Sequence, residues 1–97
     1  MSKTSGLLGL AMRSRKCVTG DEVIKSIQRK SAKLVMITNE CGENAKKKLL
    51  DKCAYYGIPY VFMSETELNE AIGTWNRKSI AIQDEGFANK LHACLKG

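Results

Sequence analysis

Residues 19–39, TGDEVIKSIQRKSAKLVMITN, decide the fold because they place a helix directly before a strand. With Thr19 as the N-cap, Glu22 occupies the third helical position, and the two side chains form a capping box. The helix that follows has one apolar stripe, made of Val23, Ile24 and Ile27. A basic loop then leads to the apolar run LVMI at residues 34–37, which predicts a strand. This order is typical of an α/β protein.

The polar residues of this helix form two flanks beside the apolar stripe. Asp21, Lys25 and Gln28 line one flank, and Glu22 and Arg29 line the other. A solvated helix face has the same composition as a ligand-binding face. Both interpretations therefore stay open at this stage.

The same alternation of helix and strand continues to the end of the chain. Thr4 or Ser5 is the expected cap of a first helix, Ser64 with Glu67 forms a second capping box, and Asp84 caps the last helix. A third helix has an inward stripe of Ala45, Leu49, Cys53 and Tyr56, and the run YVFM at 60–63 reads as a buried strand. We expect a three-layer α/β/α sandwich with a small mixed four-stranded sheet, forming one domain over residues 1–97.

The charge of the chain favours a polyanionic partner. Its 16 Lys and Arg residues outnumber its 10 Asp and Glu residues, which gives a net charge of +6 and a pI near 9.3. Nucleic acid is the first candidate, ahead of membrane surfaces and acidic proteins. The apolar run at residues 7–12 is too short and too mixed for a membrane span or a signal peptide. We expect RNA, and no membrane, as the partner.

Cysteine and histidine usage disfavours metal and redox chemistry. The four cysteines form no Cys-x-x-Cys pair, and His92 is the single histidine. Cys53 and Cys94 fall on apolar faces, whereas Cys17 and Cys41 are expected to be partly exposed. A reducing cytoplasm is the natural setting. Phosphate-binding, dinucleotide-binding and nucleophile-elbow motifs are also missing, so we expect a protein that is not an enzyme and has no cofactor.

Three segments, residues 15–29, 39–43 and 74–78, are expected to meet at one end of the sheet. Together they carry the chemistry for binding folded or unpaired RNA. The phosphate partners are Arg15, Lys16, Lys25, Arg29, Arg77 and Lys78. The side chains that can hydrogen-bond to the edges of bases are those of Asp21, Glu22 and Glu40. Trp75 offers a surface on which a base can stack. A buried core position is an equally weighted alternative for Trp75.

The order of several short motifs resembles the kink-turn RNA-binding ribosomal proteins of the L7Ae-like group, and most closely their bacterial YlxQ-like members. TGDEVIK at residues 19–25 is similar to the family's Gly-Thr-Asn-Glu-x-x-Lys motif. Further likeness lies in AKLVMI at 32–37, IPY at 58–60 and LNEAIG at 68–73. The YlxQ-like features are KKK at 46–48, DKC at 51–53 and DEGFA at 84–88. The resemblance covers nearly the whole chain.

This resemblance implies a non-catalytic protein that recognises a sharply bent RNA with sheared guanine-adenine pairs. Gly20, Asp21, Glu22 and Lys25 would lie against the guanines and nearby phosphate, supported by Arg29, with Glu40 at the tip of the strand and Trp75 over an unpaired base. The implied partners are ribosomal or other kink-turn RNA, with ribosomal proteins beside it. The alternative is a protein-interaction module on the same fold.

Three positions depart from the family pattern. Asp21 stands in place of Asn, Glu40 in place of Asp, and Asn69 in place of Gly. The first has a chemical consequence, because an ionised Asp only accepts hydrogen bonds and guanine O6 and N7 are also acceptors.

Overall fold

A computed structural model describes residues 3–73 and 77–96 of the chain. Helices and strands alternate in the order expected from the sequence. The helices are α1 (Lys3–Arg13), α2 (Glu22–Gln28), α3 (Glu43–Tyr56), α4 (Glu65–Ile72) and α5 (Glu85–Lys96). The strands are β1 (Cys17–Thr19), β2 (Leu34–Thr38), β3 (Tyr60–Met63) and β4 (Ser79–Ile82).

The four strands form one mixed sheet in the order β1-β4-β2-β3. Strands β2 and β3 are parallel, whereas β4 is antiparallel to both β1 and β2. Strands β1, β2 and β3 therefore end on the side of the sheet where β4 begins. We call this side, formed by the ends of the strands, the upper edge. The opposite side, where β1, β2 and β3 begin, is the lower edge. The predicted mixed four-stranded sheet is confirmed.

The sheet lies between two helical layers, each with its own apolar core. Alternate residues of β2 point to opposite faces, as the two-residue period of a strand requires. Leu34 and Met36 pack in a core with residues of α1, α4 and α5, and Val35 and Ile37 pack with residues of α2 and α3. All four of these β2 side chains are fully buried. The predicted three-layer α/β/α sandwich is confirmed.

Two of the four predicted helix caps are present. The Ser64 hydroxyl oxygen accepts a hydrogen bond from the Glu67 N–H at 3.0 Å, and Asp84 Oδ2 accepts one from the Phe87 N–H at 2.9 Å. The cap predicted at Thr4 or Ser5 is wrong, because both residues lie inside α1.

The predicted capping box between Thr19 and Glu22 is wrong. Thr19 is the last residue of β1 and pairs with Ile80 of β4, so its backbone belongs to the sheet. Gly20, with φ of 66°, turns the chain, and α2 begins only at Glu22 with Asp21 before it. Asp21 makes no capping hydrogen bond through its side chain. The polar groups at this turn are therefore available to solvent.

The prediction that YVFM forms a fully buried strand is also wrong. Strand β3 is an outermost strand of the sheet, and the face that carries Tyr60 and Phe62 is only partly covered. Met63 is buried, whereas Tyr60 and Phe62 are 43% and 41% exposed. The inward position predicted for Ala45 of α3 is wrong, because Ala45 is exposed. The partial exposure expected for Cys41 is also wrong, because a turn that joins the Cys41 N–H to the Thr38 carbonyl folds Cys41 onto the core.

Candidate nucleic-acid interface

The turn at residues 20–22 lies at the upper edge, directly against the segment that leads into β4. The Arg77 atom Nη1 lies 3.2 Å from the position that a Cβ at Gly20 would occupy. Gly20 also has a φ of 66°, which side chains with a Cβ rarely adopt. Glycine suits this position because of its backbone conformation, and an added Cβ would also crowd the guanidinium. Two of the three segments predicted to converge thus lie next to each other.

Glu22 links the two polar flanks of α2. Its Oε1 lies 3.7 Å from Lys25 Nζ, and its Oε2 lies 3.4 Å from Arg29 Nη2. All three side chains are exposed, so these ion pairs add little to stability and can exchange for ligand contacts. The sequence placed Lys25 and Arg29 on separate flanks, but Glu22 draws both towards one surface.

Glu40 also lies at the upper edge, just beyond β2. Its Oε1 accepts a hydrogen bond of 2.8 Å from the backbone N–H of Glu65, the first residue of α4. The Glu65 carboxylate in turn pairs with the Lys78 ammonium group. Glu40 therefore acts as a helix-end acceptor in this structure. Sequence reasoning missed this role because the two residues are 25 positions apart and neither has a local signal for the pairing.

The backbone at Arg77 and Lys78 is held from two sides. On one side, Asn69 Oδ1 accepts from the Arg77 N–H at 3.0 Å, while Asn69 Nδ2 donates to the Arg77 carbonyl at 3.1 Å and to the Glu65 carbonyl at 2.7 Å. On the other side, the Thr38 N–H and hydroxyl both donate to the Lys78 carbonyl, at 2.9 and 3.0 Å. This segment is consequently fixed relative to α4 and β2. Asn69 is a site-forming residue that the sequence identified only as a departure from a family pattern.

Two of the predicted site residues lie elsewhere. Arg15 and Lys16 precede β1, and the Lys16 carbonyl accepts from the Gln83 N–H beyond the end of β4, at the lower edge. The expectation that they join the other residues is wrong, because β1 crosses the sheet between them and Gly20. Trp75 lies outside the described residues, so its predicted role stays a prediction.

An open groove of about 450 Å³ runs between α2 and α3, next to the upper edge. Asp21 and Lys25 line its α2 side, and Lys48 and Lys52 line its α3 side, with Ile24 and Gln28 completing it. The groove continues the surface formed by the turn at residues 20–22.

Burial makes two thiols harder to ionise. It raises the pKa of Cys17 and of Cys53 from 9.0 to about 11, which disfavours a thiolate nucleophile at either position. Within residues 3–73 and 77–96, no group of three or more His, Cys, Asp or Glu side chains could hold a metal ion. None of the described helices is long and apolar enough to span a membrane.

Comparison with known proteins relates this geometry to a family. The sequence model of the Ribosomal protein L7Ae/L30e/S12e/Gadd45 family matches residues 2–92. The chain belongs to this family. Two relatives align with nearly the full length of this chain. RNA-binding protein YlxQ of Bacillus subtilis is 47% identical over 92% of this chain and 91% of its own, and the YlxQ protein of Enterococcus faecium is 42% identical over 98% and 93%.

Other similar proteins extend the comparison to a ribosomal protein and to solved structures. The large ribosomal subunit protein eL30 of Tetrahymena thermophila is 37% identical over 87% of this chain and 85% of its own. A solved structure of a protein with unknown function from Bacillus halodurans superposes with a TM-score of 0.95 at 39% identity, covering 100% of both chains. The 15.5kD RNA binding protein of Giardia lamblia, at 20% identity and a TM-score of 0.75 over 95% of this chain and 83% of its own, shares the fold.

Proposed function

We propose that this protein binds structured RNA of the kink-turn class at its upper edge and acts without catalysis. The observation that carries the proposal is the close approach of the Arg77 guanidinium to the turn at Gly20. It joins an exposed polar turn to an exposed cationic segment, and these are the two kinds of group that RNA recognition needs. The YlxQ relatives, which are named as RNA-binding proteins, support the same conclusion.

Each exposed group has a distinct role in this proposal. Glu22 accepts hydrogen bonds from guanine, Lys25 and Arg29 contact phosphate beside it, and Arg77 and Lys78 contact phosphate across the turn. Binding would replace the ion pairs of Glu22, which are worth about 0–1 kcal/mol each on a protein surface. A good bidentate base contact is worth about 1–3 kcal/mol, which offsets the loss of the two ion pairs.

Glu40 and Asn69 support the site indirectly. Glu40 accepts from the N-terminus of α4, and Asn69 holds the Arg77 backbone against the same helix. Arg15 and Lys16 are left out of the contact surface because they lie at the lower edge. Trp75, between the described residues Gly73 and Arg77, is proposed to cover an unpaired base.

We place the protein in the cytoplasm, on ribosomal or ribosome-associated RNA, with ribosomal proteins as neighbours. The similarity to a large ribosomal subunit protein of Tetrahymena supports this setting. Sequencing of RNA crosslinked to the protein in cells tests it. Enrichment of ribosomal RNA is expected, and enrichment of messenger RNA alone would contradict it.

The proposal is tested by titrating the protein into a fluorescent kink-turn RNA at fixed salt. The matched control RNA has the sheared guanine-adenine pairs replaced by Watson–Crick pairs. We expect at least about tenfold tighter binding to the kink-turn, which corresponds to about 1.4 kcal/mol. Equal affinity for both RNAs would contradict kink-turn recognition, and no binding to either would favour the protein-interaction module.

A pair of variants locates the site on the protein. Glu22→Gln removes a charge at the first residue of α2, and Glu43→Gln removes one at the first residue of α3. Both changes alter the interaction with a helix N-terminus in the same way. Only Glu22→Gln should weaken binding to the kink-turn. Equal effects of the two variants would place the contact away from the turn at residues 20–22.

A further inference from the structure

Most of the described cations at the upper edge are paired with carboxylates. Lys25 and Arg29 lie beside Glu22, and Lys78 pairs with Glu65. Lys48 and Lys52 of α3 differ, because neither has an ion pair within 4.0 Å among the described residues. Their positive charge is not neutralised by a neighbouring side chain, and both face the groove between α2 and α3.

These lysines share one stripe of α3 with an exposed aromatic ring. Lys48, Lys52 and Tyr55 follow one another at spacings of four and three residues, which places them on one helix face. Tyr55 lies seven positions after Lys48, which is about 10 Å along the helix axis. Tyr55 is 82% exposed, and its ring packs edge-on against Tyr56 with the ring centres 4.8 Å apart. The ring therefore has a neighbour on one side and an open surface on the other.

The groove and this stripe form a continuous surface with the upper edge. A second hollow of about 530 Å³, lined by Lys48, Asp51, Lys52, Tyr55 and Tyr56, adjoins the groove through the two lysines that they share. The groove itself is lined by Lys25 and Asp21 of the proposed site. An RNA strand that leaves the turn at residues 20–22 can therefore follow the protein surface along α3.

We infer that RNA bound at the upper edge continues along this surface, with Lys48 and Lys52 on successive phosphates and Tyr55 against an unpaired base. The inference rests on the proposed RNA-binding function. Asp21 and Asp51 also line the two hollows, so three lysines face two carboxylates and the net charge of the lining is only +1. Contacts are consequently expected at the two ammonium groups themselves and not through a diffuse positive field.

The test uses the kink-turn RNA with short stems and two versions in which one or the other stem is extended. For the parent protein, extension of one stem should tighten binding by about tenfold. The double variant Lys48→Ala and Lys52→Ala should lose this gain and show a salt dependence reduced by about two phosphate contacts. Alanine is favoured in helices, and both positions lie inside α3, so the fold should tolerate the changes.

The matched control carries the same loss of charge on the other helical layer. Lys3→Ala with Lys90→Ala changes exposed residues of α1 and α5. This control should keep the gain from the longer stem, and its salt dependence should match that of the parent. Tyr55→Ala should weaken binding to the extended RNA by about tenfold, whereas Tyr55→Phe, which keeps the ring, should not.

The outcomes separate this inference from the function on which it rests. If the α3 double variant and the control behave alike while Glu22→Gln still weakens binding, the extended contact is overturned and the upper-edge site stands. If the parent binds none of the RNAs, both proposals fall. Loss of the stem-dependent gain in the α3 variant alone supports the extended contact.

Discussion

The side-chain amide of Asn69 pairs with the backbone of Arg77 through two hydrogen bonds, one to its N–H at 3.0 Å and one to its carbonyl at 3.1 Å. This pairing resembles the exchange between neighbouring strands, with a side chain in place of a second backbone. Because Asn69 is buried in α4, it transmits the position of that helix to Arg77. The guanidinium then lies against Gly20.

We predict that Asn69→Ala lowers the free energy of unfolding by about 1–3 kcal/mol, because it removes three hydrogen bonds to partly buried backbone groups. Kink-turn affinity should fall while its salt dependence stays unchanged, since no charge is lost. Urea unfolding and titrations at several salt concentrations measure these quantities. The neighbouring exposed residue provides the control variant Glu70→Ala, which should leave stability nearly unchanged. Parent-like affinity of Asn69→Ala would show that Arg77 needs no anchoring.

Gly20→Ala should weaken RNA binding beyond its effect on stability. Gly20 and Gly57 have φ values of 66° and 69°, so alanine at either position costs about 1–2 kcal/mol of backbone strain. A Cβ at Gly20 also meets Arg77 at 3.2 Å, whereas a Cβ at Gly57 meets nothing within 4 Å. Thermal unfolding should show similar losses for Gly20→Ala and Gly57→Ala, and only the first should bind RNA more weakly. Equal RNA affinities would mean that the position of Arg77 is unimportant.

Asp21→Asn should tighten binding to a standard kink-turn by about tenfold. A carboxylate facing guanine O6 or N7 is repelled, whereas an Asn amide can donate to those acceptors, and such a contact is worth about 1–3 kcal/mol. Glu85→Gln is the matched control, because Glu85 is the exposed first residue of α5 in the other helical layer and loses the same charge. Titration of both variants into the same RNA distinguishes a local contact with guanine from a general effect of charge. Equal gains would indicate a general electrostatic effect, and no gain for Asp21→Asn would indicate that it does not face guanine acceptors.

Stability should decline between about pH 9 and pH 11. Burial raises the pKa of Cys53 from 9.0 to about 11, and the same holds for Cys17. Below pH 9 both thiols are neutral in the folded and unfolded chains, so they add no pH dependence. Above pH 9 the unfolded chain gains thiolate first, which favours unfolding. Urea unfolding at pH 8 and pH 10 should show a smaller decline for Cys53→Ala than for the parent. An identical decline would assign it to other groups.

The order of elements and the three layers could be predicted because apolar periods of 3.6 and 2 identify each helix and strand locally. The turn at residues 20–22 was misplaced because Thr19 fits a helix cap as well as it fits a strand end, and only its pairing with Ile80 decides between them. Arg15 was misplaced because the direction of β1 depends on the distant strand β4. The hydrogen bonds of Glu40 and Asn69 join residues that tertiary structure alone brings together.

The position of β4 between β1 and β2 has a consequence for synthesis of the protein. In the described sheet β1 hydrogen-bonds to β4 and not to β2, so the first strand has no partner until residues 79–82 have left the ribosome. Contacts between such distant segments slow folding, because closing the long loop between them costs conformational entropy before the contacts form. Because Arg77 and Lys78 immediately precede β4, the upper edge is completed at the same late step. A nascent chain that still lacks β4 is therefore expected to be unable to compete with finished copies for RNA.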